Sequence, residues 1–304
     1  MLAALAAGRH ILLEGPPGTG KSTVLRTLAT AAGVGLVFVE GNAELTPGRL
    51  IGGHDPSRIL DEGYREENFV DGPLAAALRS GSLLYVEEIN RVPEETLNVL
   101  ITVMSEGELT VPRFGRLVAA PGFGLVAAMN PFDAVGTARI SSAVYDRTCR
   151  IRMDYQSAEE EVQVVQRAVA AAQAGSLAAE WAVPDVGAVA DVVALVRSTR
   201  DHPEIRIGSS VRGAIDMVLV ADRLARVRGR AVADPTVSLD AALTALTGRI
   251  RVQEGNDRSP EDIITELWHR VFDRRREHPE SSEDASGKAT GAEGRNPPPP
   301  RAMV

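Results

Sequence analysis

The sequence predicts a parallel α/β sheet of five strands flanked by helices, followed by a small all-helical domain. Short apolar runs alternate with helical patterns through the first half of the chain. Those runs are apolar on both faces, as strands covered on both sides must be. From Ser157 onward apolar residues recur at helical spacing and strand signals stop.

In chain order, "MLAALAAGRH" reads as a short helix remnant, since it lacks the basic start of a signal peptide. "HILLEG" (10–15) is the first strand and breaks into glycines. "STVLRTLATAAG" places Val24, Leu25, Leu28 and Ala32 on one helical face and stops at Gly33. "VGLVFVEG" (34–41) is the second strand, and residues 42–73 read as an irregular surface insertion rich in glycine and charge. "PLAAALRSG" is a short helix, "SLLYVEE" the third strand, and "EETLNVLITVMSEG" a helix with Leu97, Leu100, Ile101 and Met104 inward. "ELTVPRFGRLVAAPG" alternates and turns as a β-hairpin. "FGLVAAMN" and "RTCRIRM" are the fourth and fifth strands, with Cys149 expected to be buried in the last. Ser157 and Glu160 form a capping box that opens the helical region. Further helices are expected near 184–200, 209–230, 236–252 and 259–276. Residues 279–304 have almost no apolar content and are expected to be disordered. The predicted domains are therefore 1–155, 156–278 and the tail 279–304.

Composition narrows the function classes. A net charge of −8 and 4% aromatic residues disfavour a nucleic-acid surface, which wants a basic stripe and stacking rings. No apolar run approaches the roughly 20 residues of a membrane span. One cysteine cannot form an internal disulfide, which points to the cytoplasm, and the five histidines show no metal-ligand spacing. The chain holds 31 arginines but only two lysines, Lys21 and Lys288. A lysine kept among glycines against that bias points to a specific chemical need.

That lysine sits in "GPPGTGKS", which fits G-x-x-x-x-G-K-[ST] between a predicted strand and a predicted helix. Gly15, Pro16, Pro17, Gly18, Thr19, Gly20, Lys21, Ser22 and Thr23 are the candidate nucleotide cradle. Backbone N–H groups and the helix N-terminus face the phosphates; Lys21 reaches the terminal ones, and Ser22 offers its hydroxyl to Mg2+. The third strand ends in Glu87 and Glu88, at the same sheet edge. Glu88 is the candidate base that orients the attacking water, and Glu87 belongs to the magnesium shell. Asn130, closing the fourth strand, carries the amide needed to hold that water or the γ-phosphate.

"GPPGTGKS", "EEINRVPEETLNVLITVMSEGEL", "AAMNP" and "GTARISSAVYDR" together resemble the AAA+ ATPases of the MoxR type, relatives of the magnesium-chelatase I subunit. The resemblance covers about residues 8–255 and implies a P-loop NTPase fold with a helical lid, ATP and Mg2+ as cofactors, and a homo-oligomeric, hexameric ring. It makes 42–63 the helix-2 insertion and 106–123 the hairpin before sensor 1. It implies that Arg147 is a finger entering the neighbouring subunit's site and Arg212 the sensor-2 arginine of the lid. It also implies chaperone-like remodelling, activation or metal insertion of a client enzyme, with a von Willebrand A-domain partner. The chain departs from the pattern at Thr148, where a Phe usually follows the finger. It also starts about ten residues before the first strand, where relatives carry a longer helix against the adenine.

Glu87 stands where the family has Asp. Charge is kept, and one extra methylene displaces the oxygens by roughly 1 Å, which the water shell of magnesium can absorb. Hydrolysis is expected to survive at a reduced rate, and Glu87→Asp to raise it. The alternative is an ATP-gated assembly scaffold with little turnover.

Overall fold

The computed structural model describes residues 1–131, 140–174 and 186–277. A short helix α1 (Leu2–Ala6) leads into β1 (His10–Glu14), and the glycine loop follows before α2 (Lys21–Ala32) and β2 (Leu36–Glu40). The insertion holds α3 (Pro47–Ile51), β3 (Gly52–His54), α4 (Pro56–Glu62) and β4 (Phe69–Asp71). Then come α5 (Pro73–Ser80), β5 (Leu83–Glu87), α6 (Glu94–Glu106), the hairpin β6 (Glu108–Val111) and β7 (Gly115–Val118), β8 (Gly124–Met129), α7 (Ser142–Asp146) and β9 (Thr148–Arg152). Five strands form one parallel sheet in the order β2-β5-β8-β1-β9.

Alternation along the strands sends successive side chains to opposite faces, and both faces are packed. Leu12, Leu84, Val86, Leu125 and Ala127 join Leu74, Leu78, Leu97 and Leu100 on one side. Ile11, Leu13, Leu83, Tyr85, Val126 and Ala128 meet Leu25 on the other. Burying each such leucine stabilises the fold by roughly 1.5–3 kcal/mol. The sheet therefore reads as continuous apolar runs, and its polar chemistry is confined to the carboxyl-terminal edge.

Several local expectations are corrected. Residues 42–73 are ordered into short elements. Pro47 and Pro56 occupy first-turn positions, while the Thr46 and Asp55 side chains accept from Arg49 N and Ser57 N; this cap-and-proline start is favourable. β3 and β4 pair antiparallel over three residues each, too few to show a period-two pattern. The insertion touches the β6–β7 hairpin, with Phe69 and Phe114 ring centroids 4.5 Å apart and the Arg113 guanidinium 4.3 Å from the Tyr64 ring centroid. On α2 the inward stripe is Lys21, Leu25 and Ala29, whereas Val24 and Ala32 are exposed and Leu28 is half-buried. The phosphate loop turns Lys21 inward, and the i, i+4, i+8 stripe follows it. On α6, Thr96 and Val103 join Leu97 and Leu100 in the core, and Ile101 and Met104 are half-buried. Cys149 lies on β9 but is exposed, because β9 is an edge strand.

By its contacts the chain divides between Gln156 and Ser157. The second unit contains α8 (Ala158–Ala174), α9 (Val186–Asp201), β10 (Ile205–Ile207), α10 (Val211–Arg228), α11 (Pro235–Leu246), β11 (Arg251–Val252) and α12 (Pro260–Glu277). The capping box forms: Ser157 N donates to Glu160 Oε2 at 2.9 Å and Glu160 N to Ser157 Oγ at 3.2 Å. The region is helical but not wholly so, since β10 and β11 pair as a small antiparallel ribbon. The helix expected over 236–252 accordingly stops at Leu246. Its core gathers Val165, Leu195, Met217, Leu246, Leu267 and Trp268. Glu161 is buried there between Arg200 at 2.8 Å and Arg197 at 3.1 Å. The tail 279–304 lies outside the described residues. Among the described residues no helix is long and apolar enough to cross a membrane.

Candidate active site

The phosphate loop leaves β1 at Glu14 and enters α2 at Lys21. Gly18 (φ 78°) and Gly20 (φ 80°) adopt left-handed backbone that a side chain would strain. Gly20 is the N-cap of α2 and supplies no side-chain cap. The first-turn N–H groups and the positive end of a twelve-residue helix therefore face the loop. Lys21 is buried, and its Nζ donates to Gly15 O at 2.7 Å and Pro16 O at 2.8 Å. Thr19 Oγ1 donates to Pro16 O at 3.0 Å, tightening the same curve, while Pro17 and Thr23 are exposed. Gln156 Nε2 donates to Thr19 O at 3.0 Å and Met153 N to Glu14 O at 2.7 Å, so the segment after β9 braces the loop from the side.

β5 delivers the acids to the same place. Ser22 Oγ donates to Glu87 Oε1 at 2.7 Å, across 65 residues of chain. The Tyr85 hydroxyl lies 3.1 Å from Ser22 Oγ. Burial pushes the Tyr85 phenol up to about 12, with the Glu87 carboxylate adding to the rise, so the group is a neutral donor at physiological pH. Glu88 takes up left-handed backbone at φ 53°, rare for a residue with a side chain. That conformation costs on the order of 1 kcal/mol and recurs at functional sites. It swings the chain out of the strand into a tight turn, where Arg91 Nε meets Glu88 Oε2 at 3.1 Å.

A nucleotide triphosphate with Mg2+ fits this donor set. An uncapped helix N-terminus and a buried ammonium suit phosphate oxygens. The adjoining hydroxyl and carboxylate are hard oxygen ligands of the kind magnesium takes alongside substrate phosphates. Lys21, Ser22 and Glu87 are thus brought together, while Glu88, next along the chain, holds its carboxylate on Arg91.

Asn130 follows Met129 at the end of β8, and Gly15 N donates to Met129 O at 3.3 Å, which sets Asn130 at the same sheet edge. Arg147 caps α7, and its guanidinium is folded back onto its own chain. Nε donates to Ser105 Oγ, a terminal nitrogen donates to Ala143 O at 3.1 Å, and Asp146 lies 3.7 Å away. Arg212 belongs to the second unit, in the first turn of α10, with Ser210 Oγ accepting from its N–H at 3.4 Å.

Two features escaped sequence reasoning. One is Tyr85, which in an apolar strand reads as ordinary core. The other is Glu14, buried beside the loop. Arg150 sends Nε and a terminal nitrogen to Glu14 Oε2, both at 2.5 Å. Burial raises the Tyr145 phenol, and a hydrogen bond with Glu14 raises it further. Glu14 thereby links the strand under the phosphate loop to the helix that carries Arg147.

Residues 10–148 match the AAA domain of the dynein-related subfamily. YeaC of Bacillus subtilis, itself uncharacterized, is 30% identical over 254 residues, which cover 75% of this chain and 73% of YeaC. The chain belongs to the AAA-domain family. An uncharacterized protein of Staphylococcus haemolyticus is 36% identical over 149 residues, 48% of this chain. The match spans only about half of that relative, 56% of its length. In fold, the chain resembles the Holliday junction branch migration motor RuvB of Thermotoga maritima, with a TM-score of 0.52 at 18% identity. That likeness covers 80% of this chain and 65% of RuvB. Residues 10–148 thus carry the P-loop fold of an AAA ATPase domain.

Proposed function

We propose that this AAA protein is a Mg2+-dependent ATPase that remodels a partner protein. The observation that carries the reading is the Ser22–Glu87 contact of 2.7 Å beside the buried Lys21. It brings a carboxylate suited to a metal against the phosphate loop from a distant part of the chain. Lys21 and the loop N–H groups would bind the β- and γ-phosphates, and Ser22 with Glu87 would hold the metal. Bound magnesium would neutralise charge on the phosphate oxygens. Glu88 would take a proton from the attacking water, with Asn130 orienting it.

The wider reading follows the MoxR-type resemblance. Copies would assemble into a hexameric ring in the cytoplasm, Arg147 reaching the neighbour's nucleotide after releasing Ser105 and Ala143. Such a finger contributes about 10³–10⁵ in rate. Arg212 would sense the nucleotide from the lid. The ring would act with a von Willebrand A-domain partner on a client enzyme, by remodelling or by metal insertion. ATP turnover tests the core of the reading: Lys21→Ala and Glu88→Gln should each abolish it, and equal turnover in wild type and both variants would refute it.

The Glu88–Arg91 ion pair and the Glu at position 87 favour a second reading, an ATP-gated assembly scaffold. In that case ATP promotes assembly and wild type turns over no faster than Glu88→Gln. Turnover stimulated by DNA would indicate a motor on nucleic acid instead.

A further inference from the structure

Two side chains of one strand face share the corner assigned to the metal. Residues 83, 85 and 87 of β5 point the same way, and Leu83 and Tyr85 are buried. Tyr85 is completely buried, with its ring packed across the register pair onto Phe38 at a centroid distance of 5.7 Å. Two strand residues advance roughly 6.6 Å, about the reach of a tyrosine side chain, so the phenol ends level with the Glu87 carboxylate. It meets Ser22 Oγ at 3.1 Å, and the Ser22 hydroxyl in turn donates to Glu87 Oε1 at 2.7 Å. The polar tip of an otherwise apolar strand is therefore spent on the two side chains assigned to the metal.

We propose that Tyr85 is a positioning residue for magnesium, matched to the longer carboxylate at position 87. The inference rests on the ATPase reading and deepens it. A glutamate has one more rotatable bond than an aspartate, and a carboxylate free to rotate makes a poorer ligand. The phenol donates its one proton to Ser22 Oγ and so fixes the hydroxyl, whose own proton goes to the carboxylate and removes that freedom. Groups that orient metal ligands in this way change metal affinity by about 10–100-fold when removed. An aspartate at position 87 would draw its carboxylate back by roughly 1 Å, beyond good hydrogen-bond distance of the Ser22 hydroxyl that the phenol holds. The tyrosine and the glutamate therefore act as a pair.

The test uses the full chain and a fluorescent ATP analogue, titrated with Mg2+ present and with Mg2+ chelated, together with the Mg2+ concentration that half-activates turnover. Tyr85→Phe keeps the ring and its packing on Phe38. It should leave binding in chelator as in wild type, lower the Mg2+-dependent gain in affinity at least about tenfold, and raise the half-activating Mg2+ concentration in proportion. In a Glu87→Asp background the same substitution should change the gain less than about twofold. An unchanged Mg2+ gain in Tyr85→Phe overturns the proposal. So does an equal loss with and without Mg2+, or an equal loss in both backgrounds, since either result makes the tyrosine a packing residue. A wild-type chain that binds no nucleotide at all overturns the ATPase reading and this inference with it.

Discussion

Removing Arg150 should weaken the first unit more than neutralising the carboxylate it serves. The Glu14 side chain is 3% exposed and that of Arg150 60%, and two guanidinium nitrogens converge on one carboxylate oxygen. Arg150→Ala leaves a charge buried against the Tyr145 hydroxyl. Breaking a fully buried ion pair costs about 3–5 kcal/mol. Water already reaches the Arg150 side of this pair and can partly replace it, which reduces the expectation to about 1–2 kcal/mol. Glu14→Gln keeps the shape and an acceptor, returns Arg150 to solvent, and should cost under about 1 kcal/mol. The double variant carries no buried charge and should be more stable than Arg150→Ala alone. Native-state hydrogen exchange of the β1 peptide reports this unit separately. Protection there should fall roughly tenfold in Arg150→Ala, since about 1.4 kcal/mol is a factor of ten, and should be partly restored in the double variant. A double variant as exposed as Arg150→Ala, or a Glu14→Gln variant worse than it, would refute the buried-charge argument.

If Arg147 acts in a neighbour's site, Arg147→Ala and Lys21→Ala should each be inactive alone yet recover partial turnover when mixed; no recovery would place the arginine's effect within its own subunit. Burial lowers the His10 pKa below its ordinary 6.5, against an opposing hydrogen bond with the Met104 backbone and with a contribution from Arg9. Its Nδ1 accepts from Leu125 N at 3.0 Å, which requires the neutral ring. The unfolded chain then binds the extra proton first, so this contribution is complete above pH 6.5 and is lost as pH falls from there through the lowered folded value. A thermal midpoint measured across that window should fall in wild type and fall less in His10→Asn, whose amide oxygen can accept the same bond. Gly20→Ala forces a Cβ onto left-handed backbone at φ 80° and should cost about 1 kcal/mol or more together with nucleotide affinity, read by thermal shift with and without ATP.

What was legible in the sequence is what the chain writes contiguously. The phosphate loop, its strand and its helix occupy one unbroken stretch, so spacing alone assigned Lys21 and Ser22. Glu87 and Glu88 were legible because an apolar run ending in acids can end only at the sheet edge. The Glu14–Arg150 pair was not, because its partners are 136 residues apart and meet through the parallel register of β1 with β9. The insertion's helices and its three-residue strands are too short for either hydrophobic period to emerge, and only their proline-and-cap starts mark them.

Position 87 shows how the two kinds of information combine. Read along the chain, the glutamate is an aspartate with a methylene too many, and shortening it should help. In three dimensions its carboxylate already reaches Ser22 at 2.7 Å, with the Tyr85 phenol beside it. Shortening it by roughly 1 Å would carry the oxygens beyond hydrogen-bond range of Ser22. Glu87→Asp should therefore lower turnover at limiting Mg2+ and recover towards wild type at saturating Mg2+, the reverse of the expectation from chain length. A faster Glu87→Asp enzyme at every Mg2+ concentration would mean that the extra methylene misplaces the ligand after all.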